Sequence, residues 1–269
     1  MDKGFVIIAQ NTDLVNYVQC AEQLAESIMR VMPDAKVSLI SDNETNCKAF
    51  DQVIKLPYGD QAPDSDWKLI NDWQVYEASP YEYTIKLEAD MYMPTSIDYW
   101  WEVLKERDVV VSTTIRDYKQ NISHTRAYRR FIDDNKLPDT YNAITYFKKS
   151  ETAKKFFETV KHVFENWSDI RDTLQCNADE PATTDWAYAI ACHIVGIEKT
   201  MLPNFTEMSM VHMKRYVNGL PSEDWTNTLV YELLPDTIRI NSYPQLYPLH
   251  YHVKSFSDII LESYKWNTY

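Results

Sequence analysis

Apolar residues along this chain occur either as short continuous runs or as positions repeated with helical spacing. Residues 4–10 (GFVIIAQ) form the first run, and a polar stretch at residues 11–13 follows it. Residues 14–31 then repeat apolar positions every three or four residues. The run is typical of a buried parallel strand, and the repeat is typical of an amphipathic helix. The chain therefore opens as strand, loop and helix.

The same two patterns continue to the end of the chain. They predict helices at residues 67–78, 96–106, 151–166, 186–195 and 256–265, with an irregular stretch beginning at residue 198. They predict strands at residues 37–42, 52–56, 81–94, 109–113, 141–147, 237–241 and 249–253. Strands that alternate with helices, without internal repeats or a low-complexity linker, indicate one α/β domain spanning residues 1–269.

Glycine is scarce, and its scarcity excludes two classes of nucleotide-binding protein. The 269 residues include four glycines, which lie too far apart for a GxGxxG or a GxxxxGK loop. Classical dinucleotide-binding folds and P-loop nucleotide hydrolases are therefore excluded. Any nucleotide bound here must be held without a glycine-rich cradle.

Charge is unevenly distributed along the chain, whose formal net charge is −13. Residues 1–100 contain 17 acidic and 7 basic side chains, whereas residues 105–161 contain 13 basic and 8 acidic ones. The overall balance argues against a protein that coats nucleic acid by charge alone. The basic middle, which is rich in aromatics at residues 116–130, indicates either a local binding site or a solvated helix face.

Cysteine spacing and hydropathy indicate where the protein resides. The four cysteines form no CxxC pair and no zinc-like spacing, so we expect free thiols in a reducing compartment. The chain shows no signal-peptide pattern, and no apolar run approaches the roughly 18 residues of a membrane span. We therefore expect a cytoplasmic protein without a membrane partner.

Two carboxylates end the predicted strand at residues 81–94, and they are the strongest local chemical signal. Glu88 and Asp90 are two positions apart, so on a strand their side chains share a face. Ligands of open α/β sheets bind beyond the carboxyl ends of the strands, where two carboxylates can hold a divalent cation. The alternative is a pair of surface acids that simply ends the strand.

The surrounding segments resemble the GT-A-fold glycosyltransferases. IKLEADMYM resembles the strand and DxD motif of that fold, usually close to YLDADMIV, and GFVIIAQNTDLVNYVQCAEQLAESI resembles its first strand and helix. YNAITYFKKSETAKKFFE, ADEPATTDWAYAIA and LHYHVKSF resemble its N-A-G-V-M-x-F-K, D-Q-D and H-Y…K-P-W elements. The resemblance spans about residues 4–255. It is greatest to the glycogenin-like and galactosyltransferase-like retaining family and extends to small bacteriophage glycosyltransferase-like proteins.

This resemblance implies a fold, a cofactor and a set of site residues. It implies a mixed, mainly parallel sheet flanked by helices with an irregular C-terminal extension. Residues 1–115 would bind the nucleotide-sugar, and residues 116–269 would bind the acceptor and contain the C-terminal metal and phosphate element. It also implies a Mn²⁺ or Mg²⁺ cofactor and a nucleotide-diphospho-sugar donor, with uridine expected from family habit. The metal ligands would be Glu88, Asp90 and His250. The nucleotide would contact Ala9, Asn11, Thr12, Tyr17, Lys68 and, at the diphosphate, Lys254. Asp185 would lie beside the transferred sugar.

The sequence departs from the family pattern at several of these positions. Glu88 replaces the first aspartate of the DxD motif, and Ile144 replaces the glycine of the N-A-G element. His250 and Lys254 are four residues apart where the family usually has six, so His252 is a competing metal ligand. An ordinary helix N-cap is the alternative role for Asp185.

The acceptor is inferred from the basic and aromatic stretch that follows the strand at residues 109–113. A polyanion with stackable bases would suit it, so one hypothesis is a hydroxymethylated base in phage DNA, which would place the protein in the host cytoplasm. A saccharide or protein acceptor stays open. The acceptor-binding candidates are Arg116, Tyr118, Lys119, Arg126, Arg129, Arg130, Asp179 and Glu180. An inverting reaction would need Asp179, Glu180 or Asp185 as a base.

Two other function classes stay open. A sugar-1-phosphate nucleotidyltransferase also combines an α/β nucleotide fold with a divalent metal, but it usually has a glycine-rich basic loop that residues 9–14 (AQNTDL) lack. A non-catalytic nucleotide- or saccharide-binding protein with a degenerate transferase fold is the other. Loss of metal-dependent binding or hydrolysis of nucleotide-sugars on replacing Asp90 would separate these classes.

Overall fold

The computed structural model describes residues 2–127, 129–175, 181–202, 205–234 and 237–266. Short 3₁₀ helices lie at Lys68–Gln74 and Trp225–Asn227. The strands are β1 (Lys3–Ile8), β2 (Val37–Ile40), β3 (Gln52–Ile54), β4 (Tyr83–Glu88), β5 (Met91–Tyr92), β6 (Val109–Ser112), β7 (Thr114–Arg116), β8 (Tyr141–Lys148), β9 (Ser209–His212), β10 (Tyr231–Leu233), β11 (Ile238–Ile240), β12 (Tyr243–Pro244) and β13 (Leu249–His250). The α-helices are α1 (Tyr17–Val31), α2 (Val75–Ala78), α3 (Trp100–Leu104), α4 (Arg130–Asp134), α5 (Glu151–Glu165), α6 (Trp167–Thr173), α7 (Thr184–Val195), α8 (Ile197–Thr200), α9 (Arg215–Asn218) and α10 (Phe256–Trp266).

The central sheet has six strands in the order β3-β2-β1-β4-β8-β6. Strands β1 to β4 run parallel to one another, and β8 runs antiparallel to both β4 and β6. In the register of β1 with β4, Ile8 lies opposite Glu88. The mixed, mainly parallel sheet flanked by helices is therefore confirmed. The carboxyl ends of its two central parallel strands lie side by side.

The apolar runs of the central strands cover both faces of this sheet. Phe5 and Ile7 of β1 pack with the buried face of α1, whereas Val6 packs with the apolar residues of α5 and α7. Successive side chains of a strand point to opposite faces, so a continuous apolar run is what a sheet covered on both sides requires. The result is a helix–sheet–helix sandwich with one core on each face of the sheet.

A second, four-stranded sheet carries the C-terminal part of the chain to the end of the first. Its order is β5-β13-β9-β7, with β13 antiparallel to β5 and parallel to β9. Because β5 begins three residues after β4 ends, this sheet brings β13 and β9 beside the carboxyl end of β4. Strands β10, β11 and β12 form a small antiparallel sheet farther along the chain.

Several expected elements differ from those in the structure. The single strand expected at residues 81–94 is two strands, because the chain leaves the central sheet after Glu88 and joins the second sheet at Met91. The strand expected at residues 249–253 ends at His250. The stretch from residue 198, expected to be largely irregular, contains β9 and β10. The helix expected at residues 67–78 begins as a 3₁₀ helix.

The structure bears on the expectations drawn from cysteine spacing and from hydropathy. Cys20, Cys47 and Cys192 are free thiols, as expected, and Cys176 lies outside the described residues. No described helix combines the length and the apolar character needed to cross a membrane.

Candidate active site

A cavity of about 480 Å³ opens where the central sheet meets the second sheet. It lies beyond the carboxyl ends of β1 and β4, which is where ligands of open α/β sheets bind. Both sheets and the first turn of α7 contribute to its wall. The polar side chains that line it are Gln10, Tyr17, Asp66, Lys68, Asp72, Glu88, Asp90, Arg129, Tyr141, Asn142, Thr183, Thr184, Asp185, His212, Lys214, His250, His252 and Lys254.

The two carboxylates predicted from the sequence meet a histidine in this cavity. His250 Nε2 lies 3.1 Å from Asp90 Oδ2 and 3.2 Å from Glu88 Oε2. Strand pairing brings them together, because β13 places His250 opposite Met91 and the Tyr251 amide donates to the Asp90 carbonyl at 3.1 Å. Asp90 and His250 are buried, and Glu88 is about four-fifths buried, with 21% of its side chain exposed.

Burial and neighbouring charges shift the pKa values in this group. Burial alone would raise the pKa of Asp90, but its interactions with His250 and with the ammonium of Lys254 outweigh burial and hold that pKa well below its ordinary value. Burial raises the pKa of Glu88, and His250 and Lys86 offset part of that rise. Lys254 Nζ donates to Asp90 Oδ2, so its pKa is raised although burial opposes the charge. Asp90 is therefore an anion supported by the neighbouring ammonium of Lys254.

The chemistry of these groups fits a divalent cation. Carboxylate oxygens and an imidazole nitrogen are suitable ligands, and ligands bound at about 2.1 Å in octahedral geometry lie about 3 Å apart, close to the separations here. Glu88, Asp90 and His250 therefore form a coherent candidate metal site.

A second group of nitrogen ligands adjoins the first. His252 Nε2 lies 3.3 Å from His212 Nδ1, and the rings of His250 and His252 have centroids 3.9 Å apart. Together these three histidines form another group whose ligand atoms are mutually close. Burial and the neighbouring histidines lower the pKa values of His212 and His252 well below the ordinary value, which favours neutral rings. His250 thus belongs to both groups, whereas His252 belongs to the histidine group.

Asp185 lines the cavity, and both oxygens of its carboxylate are engaged. Arg129 Nη1 donates to its Oδ2 at 2.9 Å, and the Asn142 amide donates to its Oδ1 at 3.0 Å. The alternative role as an N-cap is wrong, because the residue that caps α7 is Thr183, whose hydroxyl accepts from the Trp186 amide at 3.2 Å. Asp185 instead lies in the first helical turn, held toward the cavity by these contacts.

The expected nucleotide-binding residues divide into two sets. Ala9, Tyr17, Lys68 and Lys254 line the cavity. Lys68 is also tied to its own loop, since its ammonium lies 2.7 Å from Asp60 Oδ2 and donates to the Ala62 carbonyl at 2.6 Å.

Asn11 and Thr12 shape the loop that follows β1. Asn11 Oδ1 accepts from the Val18 amide at 2.9 Å, and Thr12 Oγ1 accepts from the Val15 amide at 3.1 Å. Neither side chain is part of the described cavity wall. Ile144, which replaces the family glycine, is fully buried in β8 and packs in the core.

The expected acceptor residues are dispersed, and Arg129 alone among those described lines the cavity. It is 3% exposed and ion-paired with Asp139 and Asp185. The others lie outside the described cavity wall. Arg126 pairs with Asp133 and Asp139, Arg130 pairs with Asp134, Arg116 packs over Tyr247, and exposed Lys119 lies over buried Tyr118. Asp179 and Glu180 lie outside the described residues.

Sequence reasoning missed His212, Asn142 and Trp186 as residues of the cavity wall. His212 ends the apolar run SMVH of β9 with a polar side chain, the same signal that identified Glu88 at the end of β4. A polar side chain at the end of β9 would therefore have identified His212 from the sequence. Asn142 is the asparagine of the N-A-G-like element, which contains Ile144, and Trp186 directly follows Asp185. Both residues therefore lie close in sequence to positions named from the resemblance.

Comparisons with known proteins identify the fold. No protein-family model matches the sequence, and no curated protein sequence matches it significantly.

The galactosyltransferase LgtC, solved with donor and acceptor sugar analogues, is similar in structure with a TM-score of 0.57 and 10% identity, over 99% of this chain and 96% of that one. The glycosyltransferase GlyE of Streptococcus pneumoniae TIGR4 gives a TM-score of 0.49 at 10% identity, over 99% and 64%. Mouse xyloside xylosyltransferase 1 gives 0.45 at 10% identity, over 75% and 84%. The similarity to LgtC, together with the sheet order, assigns this chain the GT-A-type fold of glycosyltransferases.

Proposed function

We propose that this chain is a metal-dependent glycosyltransferase that moves a sugar from a nucleotide-diphospho-sugar, with UDP-sugars the first to test, to an acceptor hydroxyl. The observation that carries the proposal is the meeting of Glu88, Asp90 and His250 with Lys254 at the carboxyl ends of β1 and β4. This group opens onto a cavity of about 480 Å³, within the size range of small-ligand sites.

The chemistry that such a group serves is the departure of a diphosphate. When the bond between the anomeric carbon and the diphosphate oxygen breaks, the leaving group carries away the electron pair and its negative charge must be stabilised. A divalent cation held by Glu88, Asp90 and His250 would supply Lewis-acid stabilisation of that charge. Lys254 would bind the diphosphate as a second positive group. No glycine-rich cradle is needed in this arrangement.

Asp185 is proposed to orient the transferred sugar. Its carboxylate oxygens already accept hydrogen bonds from Arg129 and Asn142, so the group is arranged to position a ligand more than to remove a proton. This arrangement supports a retaining reaction, which needs no strong general base. A further test is Asp185→Asn, which should lower kcat without changing the affinity for Mn²⁺.

The acceptor class is proposed from two considerations. The similarity in fold to LgtC, which was solved with sugar analogues, makes saccharide hydroxyls the first acceptors to test. The hypothesis of a hydroxymethylated base in phage DNA loses part of its motivation, because Arg126, Arg129 and Arg130 are paired with carboxylates. Transfer of labelled sugar to hydroxymethylcytosine DNA, compared with a saccharide panel, separates the two acceptor classes.

The decisive experiment measures release of nucleoside diphosphate from a panel of nucleotide-sugars. We expect turnover with Mn²⁺ or Mg²⁺, loss of turnover with EDTA, and recovery when the metal is restored. Asp90→Asn should abolish metal-dependent turnover, because it removes the central anion of the group. Asp98→Asn is the matched control, since Asp98 is a surface carboxylate that pairs with Lys3 and lies outside the described cavity wall.

Two results would contradict the proposal. One is a protein that neither binds nor turns over any nucleotide-sugar in the presence of metal, measured by thermal shift and by diphosphate release. The other is equal turnover by Asp90→Asn and the control. Formation of a nucleotide-sugar from a nucleoside triphosphate and a sugar phosphate would instead indicate a nucleotidyltransferase.

A further inference from the structure

Three of the six histidines in the chain meet at one end of the cavity. His124, His162 and His193 are exposed and distant in sequence. The other three form one group with mutually close ring nitrogens: His212, His250 and His252. The proposed glycosyl transfer uses His250 and gives no role to its two companions.

Strand pairing and one unusual backbone conformation build this group. Strands β9 and β13 pair in parallel with His212 opposite His250. After β13 the backbone of His252 adopts a φ of 61°, in the left-handed region, and its ring lies beside those of the other two histidines. A non-glycine residue in this region is uncommon and is often associated with a functional site.

The spacing of two of these nitrogens suits a tetrahedral metal ion. Two nitrogens bound to Zn²⁺ at about 2.0–2.1 Å in tetrahedral geometry lie about 3.3 Å apart. The Nε2 atom of His252 and the Nδ1 atom of His212 are separated by 3.3 Å. Three protein ligands would leave a fourth position open, and all three histidines line the cavity. The Asp90 carboxylate, 3.1 Å from His250, would balance part of the ion's charge.

Ligand type separates this group from the carboxylate group beside it. Imidazole nitrogens favour Zn²⁺ and similar transition metals, whereas Mg²⁺ and Mn²⁺ favour carboxylate oxygens. We propose that His212, His250 and His252 form a second cation site that binds Zn²⁺, and that its use of His250 places it in competition with Mn²⁺ at Glu88 and Asp90. Zn²⁺ would then control how much of the carboxylate site is available.

The test measures the binding of Zn²⁺ and Mn²⁺ to the purified, metal-stripped full chain without nucleotide. Zn²⁺ is titrated calorimetrically, Mn²⁺ is followed by its electron paramagnetic resonance signal, and Co²⁺ reports tetrahedral geometry through its visible absorption. His252→Asn is the principal variant, because asparagine tolerates positive φ and His252 is partly exposed. His212→Gln is a second variant, and His193→Gln is the control at an exposed histidine.

We expect the affinity for Zn²⁺ to fall about tenfold or more in both site variants and to be unchanged in His193→Gln. Glu88→Gln should retain Zn²⁺ and lose Mn²⁺. Zn²⁺ should displace Mn²⁺ from the wild type, and His252→Asn should need correspondingly more Zn²⁺ for the same displacement.

The proposal is overturned if folded His252→Asn and His212→Gln bind Zn²⁺ as tightly as the wild type, or if Zn²⁺ binding is lost in Glu88→Gln. It is also overturned if Zn²⁺ displaces Mn²⁺ equally from wild type and His252→Asn, since Zn²⁺ would then occupy the carboxylate site directly. No step of the test involves a nucleotide-sugar, so a failure of the proposed glycosyl transfer would be recognised separately.

Discussion

Replacing Lys86 with methionine tests whether a buried ion pair supports the floor of the cavity. Lys86 lies in β4 two residues before Glu88, and its side chain is completely buried. Its ammonium is 2.8 Å from Asp72 Oδ1 and 3.3 Å from the Asn142 carbonyl oxygen. The Tyr188 hydroxyl donates to the other oxygen of Asp72. The substitution keeps most of the apolar stem and removes the charge.

The expected loss follows from the burial of both partners. Removing one member of a buried pair leaves the other charge uncompensated, which typically costs about 3–5 kcal/mol of unfolding free energy. Asp72→Asn should cost a similar amount for the same reason. The double variant removes both charges, so it should be far more stable than the sum of the two single losses indicates.

Lys3→Met is the matched control. Lys3 and Asp98 are also 2.8 Å apart, but 34% and 65% of their side chains are exposed. An exposed pair of this kind contributes about 0–1 kcal/mol. The two pairs therefore have equal separation and differ in burial.

The assay is equilibrium unfolding in urea, followed by tryptophan fluorescence and circular dichroism. We expect Lys86→Met to lower the unfolding free energy by about 3 kcal/mol or more, and Lys3→Met to lower it by less than about 1 kcal/mol. Equal losses in the two variants, or additive losses in the Lys86–Asp72 cycle, would refute the reasoning.

Three further predictions concern other parts of the chain. Lys254→Gln should weaken calorimetric binding of nucleoside diphosphate about tenfold, or about 1.4 kcal/mol, and an unchanged affinity would count against contact with the diphosphate. Thr183→Ala should remove the cap of α7 and cost about 1 kcal/mol, seen as a lower Tm, whereas Thr183→Ser should retain it. Burial raises the pKa of the Cys192 thiol to about 12, so iodoacetamide at pH 8 should not modify it in the native protein; rapid labelling detected by mass spectrometry would disagree.

The elements predicted best are those whose evidence is local. Strands β1, β2, β6 and β8 are apolar runs, and α1 and α5 repeat their apolar positions with helical spacing. Each pattern depends on which faces of its own strand or helix are buried. The residues of that one segment are therefore enough to predict the element. Strands β7 (TIR) and β9 (SMVH) are short and have a polar residue at each end, so neither shows a long apolar run or a period.

The carboxylate half of the candidate metal site was also visible locally, at the end of one apolar strand. The histidine half depended on resemblance, because His250 lies 160 residues from Asp90 in the chain. Periodicity cannot report that β13 pairs with β5. The end of β9 marks His212 as a candidate, but only its pairing opposite His250 assigns it to this site.

The sequence by itself determined the α/β layering, the absence of a glycine-rich nucleotide loop, and the pair of acids at the end of a buried strand. The tertiary structure alone decided which charges meet and which cancel. It placed His250 in both the carboxylate group and the histidine group and His252 in the histidine group, and it turned Arg129 inward to hold Asp185. The physical reason is that periodicity depends on a residue's own element, whereas ligand geometry depends on strand pairing between distant segments and on the burial that this pairing creates.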